Sequence, residues 1–169
     1  GLGGDSGGLV ESSVSIGASL SPEIAVFGHG VEIANGDLAP SPADHTDFGE
    51  VNIPVGVRVR TFTITNTGSM DLSVGTVTVS GPHASEFTVV AQPSSPVAFS
   101  RTFQVSFDPA GVGVRSATLS FTNDDADENP FTFAIQGTGI IPSTNADLSD
   151  LVLNGHNFTP SFAAATTDY

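Results

Sequence analysis

The chain contains no cysteine and no tryptophan, and its four basic side chains are all arginines, so lysine is missing too. Without thiols there are no disulfides, no thiolate nucleophile and no cysteine-bound zinc; a β domain of this size folds without such staples, so the redox compartment stays open. Without an amine there is no Schiff-base chemistry, no phosphate-binding P-loop and no Lys–Asn isopeptide cross-link. Against the four arginines stand 18 acidic residues, giving a net charge of −14. Such a surface repels nucleic acid and anionic membranes, and favours divalent cations or plain solubility through self-repulsion. No apolar run approaches the ~20 residues of a membrane span, so no membrane insertion is expected, and residues 1–20 lack the basic start and apolar centre of a signal peptide. The expectation is a mature segment from within a longer chain, with room in 169 residues for one well-filled core plus fragments of neighbours.

What the chain does have is period-two alternation, repeated between clusters of Gly, Pro, Asn and Asp. Phe103, Val105 and Phe107 alternate with Thr102, Gln104 and Ser106 until Asp108-Pro109 ends the run. Ala117, Leu119 and Phe121 repeat the pattern, as do Phe131, Phe133 and Ile135, on either side of an acidic turn, which predicts a hairpin. Phe62 and Ile64 alternate with Thr61, Thr63 and Thr65 up to the turn signal at 66–68 (NTG). Leu72 and Val74 fall on the opposite parity from Val77 and Val79, and a bulge at Gly75 would return all four to one face. Ile24 with Val26, Phe48 with Val51 and Phe87 with Val89 supply shorter segments. The threonine-rich alternate positions suit a sheet face turned to water.

The ends read differently. After a Gly-rich start, Val14, Ile16, Ala18 and Leu20 alternate with Ser13, Ser15, Gly17 and Ser19, a strand with no partner close in sequence and therefore a candidate subunit contact. At the other end, 147–155 (DLSDLVLNG) reads as a strand and turn, followed by Phe158, Phe162 and Tyr169.

The segments 22–28 (PEIAVFG), 47–49 (DFG), 60–68 (RTFTITNTG), 103–109 (FQVSFDP) and 134–139 (AIQGTG) occur in an order that resembles the choice-of-anchor D modules of bacterial surface proteins, which are Hydin-like immunoglobulin sandwiches. Residues 145–149 (NADLS) and 165–169 (ATTDY) resemble the opening of a cadherin-like sandwich repeat. The resemblance implies an all-β, immunoglobulin-like antiparallel sandwich of roughly seven or eight strands at 22–140, preceded at 1–21 by a linker and orphan strand and followed at 141–169 by a linker and the first strands of a cadherin-like sandwich. It also implies a secreted or cell-surface protein in which such modules act as spacers, stalks or adhesive elements, and it transfers no catalytic residue.

Candidate sites are few. The segment 4–8 (GDSGG) matches the surroundings of a serine-protease nucleophile, but only three residues precede it where a protease needs an upstream His and Asp, so a flexible linker is expected. His29, His45, His83 and His156 stand singly between strands and are expected at the surface. Residues 123–129 (NDDADEN) offer alternate oxygens at Asn123, Asp125, Asp127 and Asn129 to a hard cation such as Ca²⁺; the Gly and closing Glu of an EF-hand loop are missing, and Asx side chains also cap turns without metal. Asn157 opens a glycosylation sequon.

Three function classes follow: a structural module of a surface protein or filament, an adhesive or carbohydrate-binding accessory module of a larger secreted protein, and an enzyme. Carbohydrate platforms use exposed Trp or Tyr, and the chain has no Trp and one Tyr. Enzymes need convergent titratable groups that this pattern does not supply. The expectation is a non-catalytic structural module without a cofactor, other than the calcium considered above. Its partners would be other copies or neighbouring sandwich modules, with polymerisation by strand exchange as one way to bury the apolar ends.

Overall fold

The computed structural model describes residues 20–142, and the backbone of 152–153 and 156–157. Two sheets face each other. The first contains β1 (Ile24–Gly28), β2 (Val31–Ile33), β4 (Arg58–Asn66), β6 (Phe87–Ala91) and β7 (Ser100–Phe107), in the order β2-β1-β4-β7-β6. The second contains β3 (Asp47–Asn52), β5 (Thr78–Ser80), β8 (Gly113–Phe121) and β9 (Phe131–Ile140), in the order β3-β9-β8-β5. A separate short antiparallel pair joins β10 (Val152–Leu153) to β11 (His156–Asn157).

The alternation read from the sequence becomes the inner faces of the two sheets. Phe103, Val105 and Phe107 of β7 are fully buried, as are Phe62 and Ile64 of β4, while Leu119, Phe133 and Ile135 close over them from the other sheet. Phenylalanines are the largest of the filling side chains. Phe62 lies directly opposite Phe103 in the β4–β7 register, with ring centroids 5.3 Å apart, and Phe62 also meets Phe133 across the sandwich at 5.4 Å. At the far end Phe87 stacks on its register partner Phe107 at 4.7 Å, and Phe48 packs edge-on against both. Offset and edge-to-face rings at these separations fill volume without strain.

Three features depart from the expectation. β2 adds a strand that alternation does not reveal, because three residues carry too little periodicity. The β3–β9 pair is parallel whereas the other pairs of the sandwich are antiparallel; β3 enters along the edge of the second sheet in the direction of β9, and the intervening strands supply the long crossover that a parallel pair requires. Residues 72–79 are not one bulged strand. Leu72 bridges Val97 and Val74 bridges Asn123, and only Thr78–Ser80 forms a strand, against β8. Leu72, Val74 and Val77 are nevertheless all buried. Their change of parity comes from the chain crossing between the sheets, and Gly75 marks where it runs against Thr122, whose carbonyl accepts the Gly75 N–H at 2.8 Å.

Candidate functional site

The acidic turn connects β8 to β9, which pair from Phe121 opposite Phe131 onward. Two asparagines shape it. Asn123 accepts the N–H of Asp125 at 2.8 Å through Oδ1 and donates from Nδ2 to the Glu128 carbonyl at 2.8 Å, while Asn129 Oδ1 accepts the Asn123 N–H at 3.2 Å. Both amide groups thereby cap the turn, the common use of Asx side chains. Asp125, in contrast, turns into the protein. It is 2% exposed, and its Oδ2 accepts the N–H of Ile24 at 2.8 Å, fastening the turn to the first residue of β1.

That fastening brings in a residue the spacing argument misses. Glu23 precedes Ile24, and carboxylate oxygens of Glu23, Asp125 and Asp127 lie within 4.8 Å of one another. The convergent oxygens are therefore those of Glu23, Asp125 and Asp127, while Asn123 and Asn129 hold the turn's own backbone. No sequence signal near 123–129 points to Glu23, because its approach depends on β1 and the β8–β9 turn meeting in space.

The charges are unequal. Burial opposes ionisation of Asp125, but hydrogen bonds from the Ile24 and Asp127 N–H groups outweigh it and hold its pKa below the ordinary carboxylate range. Glu128 goes the other way: burial first, then the negative charges of Asp125, Glu23 and Asp127, raise its pKa above the usual value of 4.5. Its Oε2 is buried with no hydrogen-bond partner as a carboxylate, and protonation gives it a hydrogen to share with Asp125.

The sign of the resulting pH dependence is fixed. Between pH 4.5, where Glu128 ionises in the unfolded chain, and its higher folded pKa, the native state holds the extra proton, so stability falls as pH rises through that window. Glu128→Gln keeps the shape and removes the charge. It is expected to raise the melting temperature at pH 7 and to leave it unchanged at pH 4, read by calorimetry at both values. Asp125 has the opposite linkage, its contribution being present above its unfolded pKa and lost as pH falls through the depressed folded value.

The histidines do not all stand singly. The rings of His29 and His45 stack with centroids 4.2 Å apart, and His83 Nδ1 accepts the Ser116 N–H at 3.0 Å. Leu20 is 70% exposed. Val14, Ile16 and Ala18, the 4–8 motif and the side chain of Asn157 lie outside the described residues. No helix among the described residues is long and apolar enough to cross a membrane.

The family model for the HYDIN/CFA65/VesB-like Ig-like domain matches residues 42–138. Among solved structures, a protein of unknown function from Porphyromonas gingivalis W83 is similar at TM-score 0.50 and 15% identity, over 75% of this chain and 51% of that one. The chain thus spans about half the length of that relative. The ASH/PapD-like domain 7 of human CEP192 is similar at TM-score 0.47 and 13% identity, over 83% of this chain and 99% of that domain. A CARDB domain from Pyrococcus furiosus, solved with di-metal ions, is similar at TM-score 0.39 and 14% identity, over 72% and 96%. No curated protein matches the sequence.

Proposed function

The chain belongs to the HYDIN/CFA65/VesB-like Ig-like domain family, and from that premise we propose that it is a non-catalytic, extracellular structural module of a bacterial surface protein or filament. In this reading residues 22–140 are a module of choice-of-anchor D type, set between a leading segment at 1–21 and the opening of a cadherin-like sandwich at 141–169. Copies join by strand exchange.

The observation that carries the exchange is the character of the sheet edges. β2 and β5 are three residues long, and β3 carries Asp47 and Glu50 together with a register shift between them. Short, charged or irregular edges resist further pairing. β6 (FTVVA) also has a register shift, between Val89 and Ala91, but it is the longer uncharged edge, five residues bonded only to β7 within its sheet, and it exposes Val90 at 52%. The segment bearing Val14, Ile16, Ala18 and Leu20 is a fitting donor for that edge, and such a contact between different surfaces of identical copies propagates into a fibre. An adhesive role for a sugar-stacking face has less to draw on, since Phe99 is the one strongly exposed aromatic ring among the described hydrophobic residues.

Electron microscopy tests the proposal on the full chain. Fibres are expected from the wild type and not from Val90→Lys, which sets a buried charge into the joint while changing the isolated fold by no more than about 0.5 kcal/mol, as for other exposed sites. A monodisperse wild type, or fibres indifferent both to Val90→Lys and to removal of residues 1–19, contradicts it. A second reading, calcium held by Glu23, Asp125 and Asp127, rests on their convergence; it requires a melting temperature that rises with excess Ca²⁺ and ceases to do so in Asp127→Asn.

A further inference from the structure

The strand registers give the sandwich two poles. Ile24 lies opposite Asn66, Thr65 opposite Ser100 and Phe121 opposite Phe131, so the chain enters at one pole together with the acidic turn, which the Asp125 carboxylate ties to Ile24. Arg58 opposite Phe107, Gly113 opposite Gly139 and Asn52 opposite Ile140 form the other pole, where β9 ends and the chain leaves. Most of the strongly exposed large apolar side chains among the described residues gather at these two poles. Scattered singly they would need no explanation; gathered, they mark a surface that meets a partner.

Three segments build the exit pole, 52–57 (NIPVGV), 109–114 (PAGVGV) and 137–142 (GTGIIP), and none of them carries a charge. They meet at Gly139. A Cβ there would fall on the Gly111 carbonyl oxygen, and would lie 2.9 Å from Pro109 Cβ and 3.0 Å from Ile53 Cδ1, while the Ile53 N–H donates to the Ile140 carbonyl at 2.9 Å. Around this junction Val55, Val57, Val112, Val114 and Ile141 stand 87%, 59%, 59%, 60% and 72% exposed, with Glu50, Arg58 and Asp108 at the rim. The other end of the β8–β9 hairpin is the acidic turn 123–129 (NDDADEN). One end suits water and the other does not.

The entry pole is mixed. Leu20, Met70 and Phe99 are 70%, 51% and 82% exposed. Their segments are tied together, since the Asn66 N–H donates to the Phe99 carbonyl at 2.8 Å, Asn66 Nδ2 to the Met70 carbonyl at 2.7 Å, and the Ser69 N–H to the Ser21 carbonyl at 2.9 Å. Beside them the carboxylates of Glu23, Asp71, Asp124 and Asp127 face water. Two entry poles face to face would set carboxylate against carboxylate. An entry pole on the uncharged loops of an exit pole covers both apolar groups without that repulsion.

We propose that the exit pole is the docking surface for the entry pole of a second copy, with Leu20, Met70 and Phe99 seated on the valines and Ile141, so that copies stack end to end. The inference rests on the fibre reading above and names its axial contact. Strand directions agree with it. β6 starts at the exit pole, Phe87 opposite Phe107, and runs toward the entry pole, whereas a segment that ends at Leu20 reaches the entry pole from the neighbour's side. In an end-to-end stack that segment lies antiparallel to the neighbour's β6, the sense in which β6 already pairs with β7. The contact joins different surfaces of identical copies and does not close on itself. Exit-to-exit pairing, in contrast, would stop at two copies and leave Leu20, Met70 and Phe99 exposed. A contact of so few side chains is weak alone and gains from a second link between the same partners.

Because the chain has no cysteine, single cysteines report the contact directly. Phe99→Cys marks the entry pole and Val112→Cys the exit pole, and both side chains are exposed enough to be replaced without disturbing the fold. With a flexible bis-maleimide added to the full chain, an equimolar mixture of the two variants is expected to give cross-linked dimers, either variant alone only monomers, and the double variant a ladder of multimers. Adding Val55→Asp and Ile141→Asp to the double variant is expected to remove the ladder while the melting temperature stays within a few degrees, which separates loss of docking from loss of fold. Val90→Lys in the double variant separates docking from strand exchange: a ladder that persists there supports the docking of poles even if strand exchange fails. Fibres that depend on Val90 in a protein that gives no ladder keep strand exchange and overturn the docking. Dimers from Val112→Cys alone, in which exit pole meets exit pole, overturn it as well.

Discussion

Asn66→Ala is expected to destabilise the sandwich by about 3–5 kcal/mol, enough to lower the melting temperature by about 10–20 °C. Asn66 closes β4 and is buried, 8% exposed, and its amide group uses its full hydrogen-bonding range. Oδ1 accepts the N–H groups of Glu23 at 3.2 Å and Gly68 at 3.0 Å, and Nδ2 donates to the carbonyls of Met70 at 2.7 Å and Val97 at 3.0 Å. One side chain thus joins the start of β1, the turn after β4 and the loop before β7. Truncation removes four hydrogen bonds, each worth a net contribution of about 0.5–1.5 kcal/mol, although the Val97 carbonyl keeps the Leu72 N–H at 3.1 Å and Glu23, Gly68 and Met70 are exposed to water. Asn66→Asp isolates half of the effect, because a carboxylate still receives the two N–H groups but opposes the two carbonyls. Calorimetry of both variants checks the assignment; a loss below about 1 kcal/mol in Asn66→Ala contradicts it.

The second large effect is expected from Gly28→Ala. A Cβ at Gly28 would fall on the carbonyl oxygen of Asp44 and press on the Phe62 ring at 3.3 Å. The obstacle is backbone, and the loop carrying it is tied down by the Asp44 carboxylate, which accepts both the N–H and the hydroxyl of Thr46. Relief requires that loop to leave β1, at a cost of about 3 kcal/mol or more. Because Gly28 precedes His29 and Asp44 precedes His45, the same shift separates the stacked rings. The expected result is a lower melting temperature together with loss of the His29–His45 ring-to-ring contact in NMR spectra of the folded variant. A variant that retains stability and the His29–His45 contact contradicts the close approach.

What was legible in the sequence was what depends on near neighbours. The alternation in β7, β8 and β9 places Phe103, Val105, Phe107, Leu119, Phe121, Phe133 and Ile135 in the core, and the burial follows it residue by residue. The acidic run was visible as a turn, and Asp125 as a residue with a role there. What stayed hidden needs a third dimension. Glu23 joins Asp125 and Asp127 only because the Asp125 carboxylate holds the Ile24 N–H. His29 and His45 meet because a glycine lets two backbones touch; the one local hint was 28–30 (GHG), a histidine flanked by glycines in a hairpin position that usually holds Asn. The shift of parity at Gly75 reads as a bulge in the sequence, since a bulge and a crossing between sheets disturb alternation alike, and only the pairing partners separate them.

Stability is expected to come from the two sheets closing over one phenylalanine-rich core, without help from the chain ends. Expressing residues 20–142 alone and following unfolding in guanidinium chloride by circular dichroism, with amide exchange read in parallel, tests this directly. One cooperative transition is predicted, at the denaturant midpoint of the full chain, with the amides of β4, β7, β8 and β9 exchanging last and together. Two separate transitions, or a fragment that does not fold, would contradict it.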